Sequence, residues 1–234
     1  MPIGGGSFTV QNKVLPGAYI NFVSMGTNAK MGERGVAALP LELNWGPEGQ
    51  VFKLDAADFN ATSMKVFGYD PTDANILLVR EAMKRAKTLL IYRVNGGGTK
   101  ASATVGGMTV TAKYGGTRGN AIKVAVVTNV DDATKMDVVT YLDDMVMDSQ
   151  TVAKSGGAAS LVANDFVTFG TVATLTAATA TALTGGTNAT VNASKHTAAL
   201  TAFEVETFNV IGYPGTVEDI KSLYAAFVKR LRDD

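Results

Sequence analysis

Leu89-Leu90-Ile91-Tyr92-Arg93-Val94 is the stretch of sequence that decides the fold. It is a short and almost entirely apolar run, which is typical of a β-strand that is buried on both faces. A helix is predicted directly before it, so the two elements together form half of an α/β unit.

The predicted helix before this strand carries signals at both ends. Asp70 is placed to cap its N-terminus and Pro71 to occupy its first turn. Lys84, Arg85 and Lys87 lie near its C-terminal end, where cations complement the helix dipole. An anion site is the alternative for this cluster, and the helix-dipole role is favoured. The predicted apolar face consists of Ile76, Val79, Met83 and Ala86, supported by Leu78 and Ala82.

The last part of the chain returns to α/β sequence. Ser194 is predicted to cap a helix, and a strand follows over 208–211. Thr216 and Asp219 approximate a capping box for a final helix, which is the clearest element in the sequence. The apolar residues of the first of these helices are Ala199, Leu200 and Phe203. Those of the second are Ile220, Leu223, Tyr224, Phe227, Val228 and Leu231, and this face must be buried.

The first residues form a predicted extended arm. Phe8-Thr9-Val10-Gln11 alternates in polarity, and Pro16-Gly17 ends the arm as a turn would. Two interpretations stay open: a frayed terminus, or a strand offered to a neighbouring subunit. The residues of the predicted inter-subunit arm are Ser7, Phe8, Thr9, Val10, Gln11, Asn12, Lys13 and Val14. Strand-like sequence continues over 18–23 and 35–43.

The middle of the chain is predicted to be rich in β-structure. Apolar residues alternate over 108–114, 122–126 and 136–142, which indicates an antiparallel meander or a small barrel. Between about Ser155 and Ser194 the only charged residue is Asp165. This stretch is interpreted as a separate, mostly β module.

The predicted fold class is therefore mixed, α+β with α/β character. An α/β core built from N-terminal and C-terminal segments carries an inserted, mostly antiparallel β domain. The predicted boundaries are 1–17 for the arm, 18–97 for the first part of the core, 98–188 for the insertion and 189–234 for the second part of the core.

Composition excludes several kinds of chemistry. The 234 residues include no cysteine and one histidine, which removes zinc–thiolate sites, Cys nucleophiles, disulfides and multi-histidine metal cages. The 21 basic residues are balanced by 21 acidic ones, which argues against a nucleic-acid partner. The sequence contains no apolar run long enough for membrane insertion and shows no signal peptide at its start. We expect no cofactor, no metal and no catalytic residue.

Three local patterns invite a chemical interpretation. His196 could be the base of a catalytic triad, and a solvated surface histidine is favoured. Gly115–Asn120 is glycine-rich with a cation, but a strand follows it, so a tight connecting loop is favoured over a phosphate site. The aspartates lack calcium-loop spacing and are interpreted as turn-forming and solubilising. They are Asp131, Asp132, Asp137, Asp143, Asp144 and Asp148.

Five patches in order along the chain resemble one family, the tail sheath proteins of contractile phages, defective prophages and phage-tail-like bacteriocins. The patches are Met1–Ile20, Gly35–Pro40 leading to Asn44-Trp45-Gly46-Pro47, Leu89–Val94, Tyr114–Ile122 and Leu183–Asn188. Glycine pairs are common, so the specificity comes from the order of the five. Family members continue beyond a helix like the final one, so the resemblance implies a shortened subunit.

The resemblance implies a structural role and no enzyme activity. Subunits of this family form rings stacked around an inner tail tube, and the sheath contracts to drive that tube through a cell envelope. The partners implied are further copies of the chain, the tube and baseplate proteins, and the location implied is the virion tail after synthesis in the bacterial cytoplasm. By the same resemblance, residues 7–14 are the linking arm and the β domain is an outward-facing insertion.

Two alternatives remain at this point. One is another virion structural protein, such as a tail tube or decoration protein, against which the predicted helices count. The other is a small α/β nucleotide-binding or hydrolase module, suggested by the α/β sequence at both ends.

Overall fold

The computed structural model describes residues 35–233 of the chain. The predicted arm of residues 7–14, its turn at Pro16-Gly17 and the strand predicted over 18–23 lie outside them.

The strands are β1 (Val36–Leu41), β2 (Val51–Asp55), β3 (Thr88–Arg93), β4 (Lys100–Val105), β5 (Met108–Gly115), β6 (Ile122–Thr128), β7 (Lys135–Leu142), β8 (Met145–Ala153), β9 (Val167–Phe169), β10 (Ala178–Ala182) and β11 (Val210–Ile211). The α-helices are α1 (Phe59–Phe67), α2 (Leu77–Met83), α3 (Ala193–Glu204) and α4 (Glu218–Asp233).

The α/β core is built around β3. Its sheet has the order β11-β1-β3-β2, in which β1 runs parallel to β3 and β11 while β2 is antiparallel to β3. All six residues of β3 are buried, as the sequence predicts. Leu89 and Ile91 face a layer with α1 and α2, whereas Leu90 and Tyr92 face a layer with α3 and α4. Strand β3 is thus covered by helices on both faces of the sheet.

The rest of the chain between β3 and α3 forms a β-sandwich of two sheets, β4-β5-β9 and β10-β6-β7-β8, all with antiparallel pairing. One apolar core joins the two sheets. It includes Val105, Met108 and Val110 from the first and Val124 and Met136 from the second. The mixed fold class, with a β insertion in an α/β core, is confirmed.

Neither a single meander nor a barrel describes the insertion. The strands predicted over 122–126 and 136–142 do pair, as β6 and β7, but β5 belongs to the other sheet. A 3₁₀ turn over Thr117–Ala121 separates β5 from β6 and carries the chain from one sheet to the other. The alternation of apolar residues predicts these strands correctly, but it does not predict which of the two sheets each strand joins.

The stretch from Ser155 to Ser194 is not a separate module, contrary to the prediction. Its β9 pairs with β5 and its β10 pairs with β6, so it completes both sheets of the same sandwich. Phe166, Val167 and Leu175 lie in the same core as the earlier strands. The low content of charged residues in this stretch is a change in composition only, because the stretch belongs to the same domain as the preceding strands.

Two predicted helix starts were wrong. Asp70 accepts a hydrogen bond from the Thr72 amide (2.9 Å) in a local turn, and Asp73 caps the 3₁₀ turn that leads into α2. An Asp followed by Pro can satisfy its own turn in this way, which competes with helix initiation. Likewise Asn192, not Ser194, caps α3 through its side chain.

The predicted apolar faces are mostly right. Ile76, Val79, Met83 and Ala86 are buried, as are Ala199, Leu200 and Phe203. In α4, which begins at Glu218 rather than beside Thr216, the buried residues are Ile220, Tyr224 and Phe227. Leu78 and Leu231 are exposed, so their predicted burial was wrong.

In the α/β core, β2 and α1 were not predicted, and in the sandwich β4 and β8 were not predicted either. Helix α1 had a readable signal, since Phe59, Ser63 and Phe67 recur every four residues and are buried. Gly68 then ends the helix in the left-handed conformation (φ 74°). The helix places Lys65 and Gly68 beside the sandwich, which matters for the site below.

Candidate functional site

The contact between the α/β core and the β-sandwich, here called the junction, is the most elaborately built site in the described residues. Trp45 lies in the loop after β1 but belongs to the apolar core of the sandwich, and it is 1% exposed. Its ring meets Tyr114 edge-on at 5.2 Å between centroids and stacks on Phe166 at 6.5 Å. Its indole N–H donates to the Lys65 carbonyl of α1 at 3.3 Å. Trp45 is therefore an anchor of the core inside the sandwich.

Arg118 crosses the junction in the opposite direction. It lies in the 3₁₀ turn of the sandwich, and its Nε donates to the Gly68 carbonyl at the end of α1 (2.7 Å). The guanidinium lies over the Tyr69 ring, 4.3 Å from its centroid, and pairs with the Asp143 carboxylate. The Lys65–Asp165 ion pair (3.0 Å) also joins α1 to the sandwich.

Arg93, the last residue of β3, is 1% exposed. Its guanidinium donates to the carbonyls of Gly46 (3.2 Å) and Gly115 (2.7 Å) and to the side-chain oxygens of Asn95 (3.2 Å) and Asn188 (3.3 Å). Burial lowers the pKa of Arg93, and the charge of Glu48 opposes this. The apolar pattern predicted Arg93 only as one residue of a buried strand, and this role was missed. An arginine inside an apolar run was the available signal.

The chain crosses the junction twice, once on leaving the core and once on returning. The two crossings are hydrogen-bonded to each other, because the Thr187 amide donates to the Thr99 carbonyl (3.1 Å) and the Thr99 amide to the Thr187 hydroxyl (3.1 Å). A Cβ on Gly98 would lie 1.8 Å from the Thr187 carbonyl oxygen, so only glycine fits there. Gly98, the last residue of the Gly96-Gly97-Gly98 run, therefore allows a close approach of two backbone segments.

The α/β sheet has an open edge at β11. In the described part of the chain, β11 pairs with β1 and with no other strand. Val210 is 58% exposed there. A groove of about 300 Å³ runs beside this edge, between β1 and the end of α2, and its lining includes Val36, Leu39 and Ala86. An edge of this kind leaves backbone donors and acceptors available to a further strand.

His196 is not a surface residue, contrary to the prediction. It is 6% exposed, its Nδ1 lies 3.1 Å from the Tyr224 hydroxyl, and its ring packs edge-on against Tyr213. Burial lowers the pKa of His196, while the charge of Glu42 opposes this, and burial raises the pKa of Tyr224. His196 therefore links α3 to α4, and this geometry provides no triad.

The other predicted sites are turns and surface pairs. The Gly115–Asn120 loop connects β5 to β6, as predicted. Asp143 and Asp144 form the β7–β8 turn with positive φ values of 49° and 65°, and Asp132 accepts from the Thr134 amide (2.9 Å). Lys84, at the end of α2, pairs with Glu81 (2.7 Å).

Within residues 35–233, no cluster of three or more His, Asp or Glu side chains is arranged to hold a metal ion. None of the helices described combines the length and hydropathy that a membrane span requires. What residues 35–233 do provide is a densely hydrogen-bonded junction and a strand edge with a partner on one side only, which are features of recognition and assembly.

The two parts joined at the junction match two successive domains of one family. Residues 34–94 match the tail sheath protein Gp18 domain III N-terminal region, and residues 96–192 match the phage tail sheath protein beta-sandwich domain. The chain belongs to the phage tail sheath protein family.

Solved structures and curated relatives agree with this assignment. The chain is 43% identical to a sheath tail protein from Desulfitobacterium hafniense, with a TM-score of 0.80 over 93% of this chain and 50% of that one. It is 38% identical to a sheath tail protein from Listeria innocua, with a TM-score of 0.76 over 88% of this chain and 46% of that one. The phage-like element PBSX protein XkdK of Bacillus subtilis is 39% identical over 99% of this chain and 53% of its own length. The chain thus spans about half the length of the relatives it matches.

Proposed function

We propose that this chain acts in a contractile tail sheath, as a structural subunit that polymerises in stacked rings around an inner tail tube. Contraction of this assembly would drive the tube through a cell envelope. The observation that carries the proposal is the pair of consecutive sheath-domain matches, supported by the 0.80 TM-score to a sheath tail protein. No observation on the described residues favours a tube, decoration or hydrolase role over this one.

The proposed organisation assigns a task to each part of the chain. Residues 1–17 are the linking arm, 18–97 and 189–234 form the α/β core, and 98–188 form an outward-facing sandwich. In this scheme the arm residues 7–14 join neighbouring copies by strand addition, in which main-chain hydrogen bonds supply the affinity. Strand addition needs an unpaired acceptor edge, and among residues 35–233 β11 has a strand partner on one side only.

The proposed partners are further copies of the chain, the tail tube and baseplate proteins. The proposed location is the virion tail. The work of contraction would come from energy stored in the extended lattice, so no nucleotide is needed. We therefore expect no change in melting temperature when nucleotides or esters are added.

Electron microscopy of the full chain, over a range of protein and salt concentrations, tests the assembly proposal. Rings or tubes with a regular axial repeat are expected. Particles that stay monomeric under every condition would contradict the proposal for this chain.

A pair of deletions tests the arm. Removal of residues 1–14 should abolish assembly while the circular dichroism spectrum and melting temperature stay unchanged. Removal of residues 1–6 is the matched control, because it keeps the proposed strand and should assemble normally. Normal assembly after the longer deletion would refute the role of the arm.

A further inference from the structure

The four hydrogen-bond acceptors around Arg93 come from four separate parts of the chain. Gly46 belongs to the loop after β1 in the core, and Gly115 ends β5 in the sandwich. Asn95 lies on the outgoing crossing and Asn188 on the returning one. A guanidinium is planar and presents its donors at fixed angles, so these four segments can satisfy it only in one mutual arrangement.

The surroundings of Arg93 make that arrangement demanding. In the described residues, its hydrogen-bond acceptors are carbonyl and amide oxygens, with no carboxylate in contact. A buried cation without a paired anion is tolerated only when every donor keeps an acceptor. If the sandwich tilted, the Arg93 guanidinium would lose its hydrogen bond to the Gly115 carbonyl. Water could not replace that bond, because Arg93 is buried.

The asparagines extend this network across the junction. The Asn188 Nδ2 donates to the Asn44 Oδ1 at 2.8 Å, and the Asn95 Oδ1 also accepts from the Leu43 amide at 3.0 Å. Both crossings are therefore tied to the loop that carries Trp45. Apolar contacts such as those of Trp45 favour association but tolerate small rotations, whereas directional hydrogen bonds do not.

We propose that Arg93 is the positioning residue that fixes the orientation of the β-sandwich on the α/β core. Trp45 holds the two parts together, and the Arg93 network selects one angle between them. Loss of the guanidinium fork leaves both parts folded and in contact, with a wider range of orientations.

The absence of cysteine from the sequence allows a direct measurement of this orientation. Cysteines introduced at Ser160 in the sandwich and Ser222 in α4, both exposed, can carry spin labels for pulsed EPR distance measurement. The parent pair should give one narrow distance distribution. Arg93→Met should make the distribution at least twice as broad, or displace its maximum.

Two further variants keep the test decisive. Arg85→Met removes an exposed arginine from the end of α2 and should leave the distribution unchanged. Arg93→Lys keeps the charge but loses the fork, so it should broaden the distribution even if Arg93→Met fails to fold. A folded Arg93→Lys protein whose distribution matches the parent's in both width and maximum would overturn the proposal.

Discussion

Trp45 shows how a single side chain can belong to one domain in sequence and to another in packing. It follows the first strand of the core, yet its ring is surrounded by residues of the sandwich. Its position beside Gly46-Pro47 in the sequence indicates the end of a strand but not this insertion. The signal that decides its environment lies in Tyr114 and Phe166, far along the chain.

The first prediction concerns this residue. Trp45→Ala should reduce the free energy of unfolding by about 3–5 kcal/mol, because the ring leaves a large cavity and the Lys65 carbonyl loses a donor. Urea denaturation followed by circular dichroism measures the effect. Trp45→Phe should cost clearly less, and equal losses for the two variants would show that ring volume is unimportant here.

The second prediction concerns the pH dependence of stability. The pKa of His196 lies below its ordinary value of 6.5 in the folded protein, so the unfolded chain binds a proton more readily. The contribution of His196 is fully present above pH 6.5 and is lost as the pH falls below it, at no more than about 1.4 kcal/mol per pH unit.

Chemical denaturation between pH 7.5 and 5.5 should therefore show a steeper loss of stability for the parent than for His196→Gln. Tyr224→Phe is the control, because it removes the hydrogen bond between Tyr224 and His196 but keeps the buried imidazole. Parallel stability curves for the parent and His196→Gln would contradict the assignment. Sequence could not reveal this burial, because α4, which covers the ring, begins more than twenty residues later.

At the scale of elements, helices and strands followed local patterns wherever one face was repeatedly apolar. The β3 stretch was predicted correctly because its apolar run is continuous, and the face of α2 because its apolar residues recur with the period of a helix. Helix starts failed because Asp70 and Ser194 satisfy the same local rules as the true caps. Strand β2 was missed because it is only partly buried, so its sequence lacks a strong apolar pattern. Its strand structure comes from pairing with β3.

The turn between β5 and β6 carries the third prediction. Gly116 has φ 136°, and a Cβ there would lie 2.2 Å from the Asn44 carbonyl oxygen across the junction. Gly116→Ala should therefore lower the melting temperature strongly, since both backbone strain and a clash are introduced. Gly156→Ala is the matched control, because Gly156 also has positive φ (72°) but has open space around its Cα.

For Gly156→Ala the cost should be only about 1–2 kcal/mol, the usual penalty for an L-residue in the left-handed region. Thermal denaturation of the two variants side by side gives the comparison. Equal shifts in melting temperature would mean that the close approach at the junction contributes nothing.

At the scale of the whole molecule, the sequence predicted the mixed class and the insertion, because the alternating apolar residues of the middle strands and the helical patterns on either side of them are local signals. It did not predict that the stretch from Ser155 completes both sheets, since strand pairing depends on contacts distant in sequence. Nor did it predict the junction built by Trp45, Arg93 and Arg118, whose contacts join residues far apart in the sequence.

The paired crossings at Thr99 and Thr187 have a consequence for how such proteins can change over evolution. The whole sandwich enters and leaves the core at one point, so a larger, smaller or unrelated domain could replace it without moving any strand of the α/β sheet. A replacement needs only two ends that lie side by side and a surface that covers Trp45. The sandwich can therefore diversify while the α/β core keeps its shape.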